Sequence, residues 1–465
     1  MIEENTTKSH TLLWLLIQTL ITEMTLEVEV ISKETIKPSS PTPEHLRHYH
    51  LSFLDQISPP VYSPLVLFYP THQNNQEIAI DNVQITTQLK TSLSEVLTCF
   101  YPLAGRIKDN TLIHCGDVDD GGGIPFMEAT VNCSLSDVIR NPVPAELNKL
   151  LPFPELDDGA DEIPLGVQFN TFKCGGFGIG VCLSHKIGDA LSLFTFLKNW
   201  AATARGDRDS VQTEFVSASL FPPRNLSGFK PTTGITKENI ITKRFVFSAS
   251  KIEEFRAKYT DQSIENPKRP SRVEALSAFL WSRFVASKKK EVLPGVADRV
   301  YTVLHAVNLR PRFEPPLPEY SFGNLYRIAV TVPSTEEDDD DEEQAAYRLI
   351  VQMRESISRV DKEYVKKLQE RSELHLGFLN DMVERFNRGE MVSFNITSLC
   401  RFPLYESDFG WGKPVWVGSV SLAFSNVVSF IDTVSGNGIE AWMNMKEEDM
   451  AKLEVDEELI LATTA

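Results

Sequence analysis

The chain has 465 residues, 42% of them hydrophobic and 24% charged, which suits two or three globular domains with substantial cores. A formal net charge of −18 excludes a broad basic surface for nucleic acid, though it leaves room for a local patch facing a phosphorylated cofactor. The six cysteines form no C-x-x-C pair and do not cluster with histidines, so they fit free thiols in a reducing compartment better than a disulfide framework or a metal site.

Residues 1–23 stand apart. Leu12 to Ile21 is apolar but falls short of the ~20 residues that a bilayer span needs. Glu3 and Glu4 precede it, where a secretory signal would be basic. We treat 1–23 as an extension ahead of Met24, with a signal peptide or anchor as the alternative. From Val28 the alternation predicts a strand, and Ser39 to Pro43 (SSPTP) an extended loop. Leu93, Val96, Leu97 and Phe100 fall at helical spacing, and Tyr101 to Arg106 (YPLAGR) ends that helix.

Val167 to Thr171 and Phe177 to Ser184 alternate around Cys174-Gly175-Gly176, which predicts a hairpin leading into His185. Leu191, Phe194, Leu197 and Trp200 then form a helical stripe closed by Gly206. Residues 24–206 make a first domain. Residues 207–238, rich in Pro, Gly, Ser and Thr, make a linker, and 239–465 a second domain. The second half predicts a strand from Lys243, a helix from Arg272 to about Ser287, and strands over Tyr301 to Asn308 and Leu325 to Val332. The acidic run Glu336 to Glu343 predicts a solvated loop. Ser435-Gly436-Asn437-Gly438, between two alternating runs, predicts a hairpin.

Two motifs bear chemistry. His185 is followed at the fourth position by Asp189. A histidine suits a general base near neutral pH, as an alcohol attacking a thioester requires. On a helix the i and i+4 positions share a face, so Asp189 could orient the imidazole; a purely structural histidine is the alternative. The second motif is Asp408-Phe409-Gly410-Trp411-Gly412, whose glycines permit positive φ and whose Asp408 can accept backbone donors; an ordinary Gly-rich turn is the alternative. The letters D-F-G come without an H-R-D loop, so a kinase is excluded, and Gly175 to Gly180 does not spell a dinucleotide fingerprint.

Together these motifs resemble the BAHD acyltransferases, which carry HxxxD near the middle of the chain and DFGWG near its end. SSPTP, FYP (Phe68 to Pro70), YPLAGR, NLR (Asn308 to Arg310), FGN (Phe322 to Asn324) and DFGWGKP (Asp408 to Pro414) also look like family signatures, and the resemblance runs from about Met24 to the end. Ser184 and Ala190 stand where the His-His-x-x-x-Asp-Gly families have His and Gly. The resemblance implies an α/β fold of two similar-sized domains of chloramphenicol-acetyltransferase-like type. Each would be a mixed β-sheet with flanking helices, with the active-site channel between them. It implies acyl-CoA as co-substrate and an alcohol acceptor, with no permanent cofactor, metal, nucleic acid or membrane partner, and a cytoplasmic monomer. VEVISKETIKP, AVNLR and DFGWGKPVWV look like the family's alkaloid acetyltransferases, implying acetyl-CoA and an alkaloid or terpenoid alcohol. Ser321-Phe322-Gly323-Asn324-Leu325 replaces the YFGNC of malonyl-transferring members.

By the same resemblance His185 is the general base of a direct transfer with no acyl-enzyme. Asp189 turns away from the channel to pair with Arg310. Asp408, Gly410 and Gly412 are structural. Ser271 and Arg272, opening a helix, are offered as CoA-phosphate contacts, with a helix cap and a solvated arginine as the alternative. Thr397 and Leu399 fall in the acceptor pocket, where Leu399 replaces the tryptophan of a Thr-Ser-Trp step. An N-acyltransferase and a catalytically silent ligand-binding member remain as alternatives to O-acyl transfer.

Overall fold

The structure, a computed structural model, describes residues 25–463 apart from 72–81, 117–121, 156–158, 161, 208–212, 227–228, 230–238, 262–267, 289–298, 335–340, 421 and 423. The apolar run at 12–21 therefore lies outside the described residues. In chain order the first strands are β1 (Val28–Ile36), β2 (His48–His50), β3 (Tyr62–Tyr69), β4 (Arg106–Lys108), β5 (Leu112–His114), β6 (Ile124–Val131), β7 (Leu165–Phe172) and β8 (Phe177–Ser184). They continue with β9 (Ile240–Phe247), β10 (Val300–Asn308), β11 (Tyr326–Thr331), β12 (Met391–Ser398), β13 (Trp416–Gly418), β14 (Val427–Asp432) and β15 (Ile439–Lys446).

Two six-stranded sheets dominate, ordered β1-β6-β7-β8-β3-β13 and β11-β10-β12-β14-β15-β9, beside a small sheet β2-β5-β4. Both large sheets are mixed: β6 runs parallel to β7, and β10, β12 and β14 are mutually parallel. Central strands of the first sheet are covered on both faces, so β8 (FGIGVCLS) is buried along its whole length. Its Gly180 is obligatory, because a Cβ there would stand 2.0 Å from the Leu150 carbonyl oxygen. The helices Asn82–Cys99 and Ala190–Arg205 share this core, and Trp200 Nε1 donates to Ser92 Oγ at 3.1 Å between them.

The second sheet shows its period of two plainly. Val303, Phe394, Ile396, Val428 and Phe430 face a core shared with the helices Ala249–Lys258, Arg272–Lys288 and Glu342–Ser358. Leu304, Asn308, Ser393, Asn395, Thr397 and Ser429, at the intervening positions, face a cavity toward the first half of the chain.

Two features depart from the expected organisation. The segment between β12 and β14 leaves the second domain: β13 joins the first sheet antiparallel to β3, with Trp416 opposite Phe68 and their rings 5.2 Å apart. Leu404, Phe409, Trp411 and Val417 accordingly pack into the first core, so DFGWG belongs to the second half by sequence and to the first by packing. The acidic run is also not loop throughout. Asp341 caps the helix Glu342–Ser358, and Glu342 and Glu343 form its first turn, where carboxylates oppose the positive end of the helix dipole. Among the described residues, no helix is long and apolar enough to cross a membrane.

Candidate active site

His185 stands between the end of β8 and the helix Ala190–Arg205, on a loop tied down at several points. Its backbone N–H donates to the Val61 carbonyl at 2.8 Å, and the Ile187 N–H to the Ser184 carbonyl at 3.1 Å. The buried Lys186 ammonium donates to the carbonyls of Gln56 and Ser58 at 2.7 and 2.8 Å. A loop held this way fixes the side chain it carries.

The imidazole is oriented by Asn324, with Nδ1 2.9 Å from the Asn324 amide oxygen. The Asn324 nitrogen donates to Asp55 Oδ1 at 2.8 Å and to the His185 carbonyl at 2.7 Å. Both of those partners only accept, so the amide cannot be turned over and its oxygen must face the ring. His185 Nδ1 therefore carries the proton and donates, which leaves Nε2 as an acceptor. Burial lowers the histidine's pKa below its ordinary 6.5, so the ring is neutral at physiological pH. The Tyr326 ring packs 5.6 Å from it.

Asp55 is the deepest member of this chain and is fully buried. Its Oδ1 also accepts from the Asn324 N–H at 2.9 Å, and its Oδ2 accepts from the N–H and hydroxyl of Ser52 at 2.9 and 2.6 Å. Burial nevertheless pushes its pKa up. Sequence reasoning passed over Asp55 and gave Asn324 no role. The capping box Ser52-x-x-Asp55 and the FGN signature were the available signals.

Asp189 does not orient the histidine, as the i, i+4 spacing alone would have it; it turns to Arg310, as the family resemblance implies. It is the N-cap of the helix Ala190–Arg205, accepting from the Ser192 N–H at 3.0 Å. Its carboxylate is forked by Arg310, Nη1 to Oδ2 at 2.8 Å and Nη2 to Oδ1 at 3.0 Å, and also accepts from the Leu325 N–H at 3.1 Å. Arg310 is 1% exposed.

Asp408 Oδ1 accepts from the N–H groups of Gly410 and Gly412 at 2.8 and 2.9 Å, closing a loop in which those glycines take φ of 110° and 99°. Arg205 donates to the Asp408 carbonyl, and Gln88 to the Phe409 carbonyl at 3.0 Å. Phe409 and Trp411 stack with centroids 5.5 Å apart inside the first core. This loop stands away from the cavity that His185 lines.

That cavity holds about 600 Å³ and is mainly apolar, with Val61, Pro64, Leu193, Phe194, Tyr326 and Ile328 among its walls. Thr397, Ser398 and Leu399 line it with His185, whereas Ser271 and Arg272 do not. Ser271 caps its helix in a reciprocal box with Glu274, at 3.2 Å from the Glu274 N–H and 2.7 Å from its own N–H to the Glu274 carboxylate. Arg272, partly exposed, is already paired: it donates to Asp432 Oδ1 at 2.8 Å and to the Gly436 carbonyl at 3.0 Å, tying its helix to the β14–β15 hairpin. A partly buried base with a defined tautomer in a mainly apolar cavity can take a proton from a hydroxyl group, and the low polarity of the walls strengthens each such contact.

A family model described as the Transferase family matches residues 26–460. Stemmadenine O-acetyltransferase of Catharanthus roseus is 37% identical over 93% of this chain and 97% of its own. Vinorine synthase of Rauvolfia serpentina is 38% identical over the same shares of each chain. A limonoid 21-O-acetyltransferase of Melia azedarach is 36% identical over 94% and 99%. The crystal structure of vinorine synthase superposes with a TM-score of 0.77 at 35% identity, covering 94% of this chain and 98% of that one.

Proposed function

The chain belongs to the BAHD transferase family and is an acyl-CoA-dependent O-acyltransferase of chloramphenicol-acetyltransferase-like fold, and we propose that it carries an acetyl group from acetyl-CoA to a hydroxyl of a polycyclic alkaloid or terpenoid, with His185 as general base. The observation that carries this reading is the imidazole held by Asn324 through Nδ1, with its other nitrogen left to act. His185 Nε2 takes the hydroxyl proton as the acceptor oxygen bonds to the thioester carbonyl carbon. The tetrahedral intermediate places negative charge on the former carbonyl oxygen. Its collapse breaks the C–S bond, and the imidazolium returns the proton to the departing sulfur. The cycle closes with no acyl-enzyme.

Asp189 and Arg310 act at one remove, holding the loop that carries the base. The mainly apolar cavity suits a rigid polycyclic acceptor, as do relatives named for stemmadenine, vinorine and limonoid substrates or products. Leu399, in place of a family tryptophan, widens the wall near Thr397. We assign the enzyme to the cytoplasm as a monomer, which fractionation and sedimentation would check. The decisive assay is thiol release from acetyl-CoA against a panel of alkaloid and terpenoid alcohols, beside His185→Ala. We expect acceptor-dependent release that falls by about 10² to 10⁴ in the variant. Release unchanged in His185→Ala, or none with any alcohol, refutes the proposal.

A further inference from the structure

A second cavity of about 770 Å³ lies at the outer edge of the second sheet, between β11 and the helices Lys362–Glu370 and Ser372–Asn387. Arg327 of β11 lines it and is 7% exposed. The guanidinium meets His375 Nε2, its Nε is buried with no hydrogen-bond partner, and among the described residues no carboxylate forms an ion pair with it. Arg310 shows what burial of this group ordinarily demands: a forked carboxylate and several carbonyls. A buried guanidinium without a counter-charge is costly, and it persists where something else supplies that charge. His375 does not, because burial and the neighbouring arginine depress its pKa to about 3 and keep it neutral.

The mouth of the cavity points the same way. Arg359, Lys366, Lys367 and Arg371 line it against Glu363 and Glu370, a surplus of cations on a chain of net charge −18. Beside them Leu374 and Phe378 line the cavity while 64% and 51% exposed, so an apolar surface adjoins the charge. We propose that this cavity binds a small oxyanion carried on an apolar body, a carboxylate or a phosphate monoester, with the Arg327 guanidinium as its anchor. A planar fork of N–H donors matches either group. The site is distinct from the catalytic one but adjacent to it, since Leu304, Ile328, Leu379 and Met382 line both cavities. Its occupant sits behind a wall of the acceptor cavity.

Titration calorimetry on the full chain tests this with three matched probes: cinnamate, phenyl phosphate and cinnamyl alcohol. We expect at least one anion to bind tenfold or more tightly than the alcohol, and which anion does so identifies the ligand chemistry. Arg327→Gln should erase that preference without lowering the melting temperature, since it removes an uncompensated buried cation. Lys367→Gln with Arg371→Gln, both exposed and safe for folding, should weaken anion binding severalfold and flatten its salt dependence. Equal binding of anion and alcohol, anion preference retained in Arg327→Gln, or no effect of the rim pair overturns the proposal.

Discussion

Asp189→Ala isolates what the buried ion pair contributes. The substitution removes the carboxylate that forks Arg310 and leaves a guanidinium 1% exposed. Breaking a buried pair from one side costs about 3–5 kcal/mol. Four neutral acceptors remain around Arg310, namely the Ser321 and Gly323 carbonyls, Asn308 Oδ1 and Ser192 Oγ, which favours the lower end of that range. Asp189 is also a helix N-cap, and losing that adds about 1 kcal/mol. The sum, about 4 kcal/mol, corresponds to a fall in melting temperature of about 4 °C if the chain unfolds as one unit with an entropy of about 2.1 cal/mol/K per residue. Scanning calorimetry, with chemical denaturation as a second measure, reads it. Asp189→Ala with Arg310→Met should be less destabilised than Asp189→Ala alone, because no charge is left stranded. If the double variant is the less stable of the two, or Asp189→Ala melts with the wild type, the buried-charge reasoning is wrong.

Asn324→Ala should lower kcat by about 10² while leaving acetyl-CoA binding intact, as measured by single-turnover kinetics and calorimetry, because it frees the ring without removing the base. The acid limb of kcat/KM should have its midpoint below 6.5: the neutral ring is the active form, burial depresses its pKa, and activity therefore rises with pH through that lowered value and is flat above it. Acid unfolding should also be evident. His305 titrates near 4 in the folded chain and near 6.5 unfolded, so the unfolded state binds the extra proton and stability is lost as pH falls from about 6.5 toward 4. His305→Phe should reduce that loss in melting curves taken across this range. Leu399→Trp should raise KM for a bulky acceptor about tenfold and spare a small alcohol, which a substrate series would show.

The local parts of the site were legible because their signals are local. Alternation through β8 and the helical stripe from Leu191 placed His185 at a strand-to-helix junction, and the Ser435 to Gly438 turn was found where the composition put it. The misread parts all depend on long-range pairing. His185 finds its partner 139 residues away in Asn324, and Asn324 finds Asp55 across 269 residues, so no spacing rule connects them. Spacing alone would turn Asp189 to the ring four residues before it; only the family resemblance pointed to Arg310, 121 residues away, where the helix cap does turn it. Arg272 looked available because its partner, Asp432, lies 160 residues on. The return of DFGWG to the first core likewise leaves no mark on local periodicity.

That return bears on how the protein is made. β3 ends at Tyr69, and β13 begins at Trp416. About 350 residues must be synthesised between them, which at ~5–20 residues per second takes about 20–70 s. Once β8 has been made and has paired with β3, the nascent first sheet presents β3 as an open edge for the rest of that interval, unpaired along Val66 to Phe68, the stretch that β13 later covers. Yield in a heterologous host should therefore depend on what shields that edge during translation more than on the stability of the finished fold.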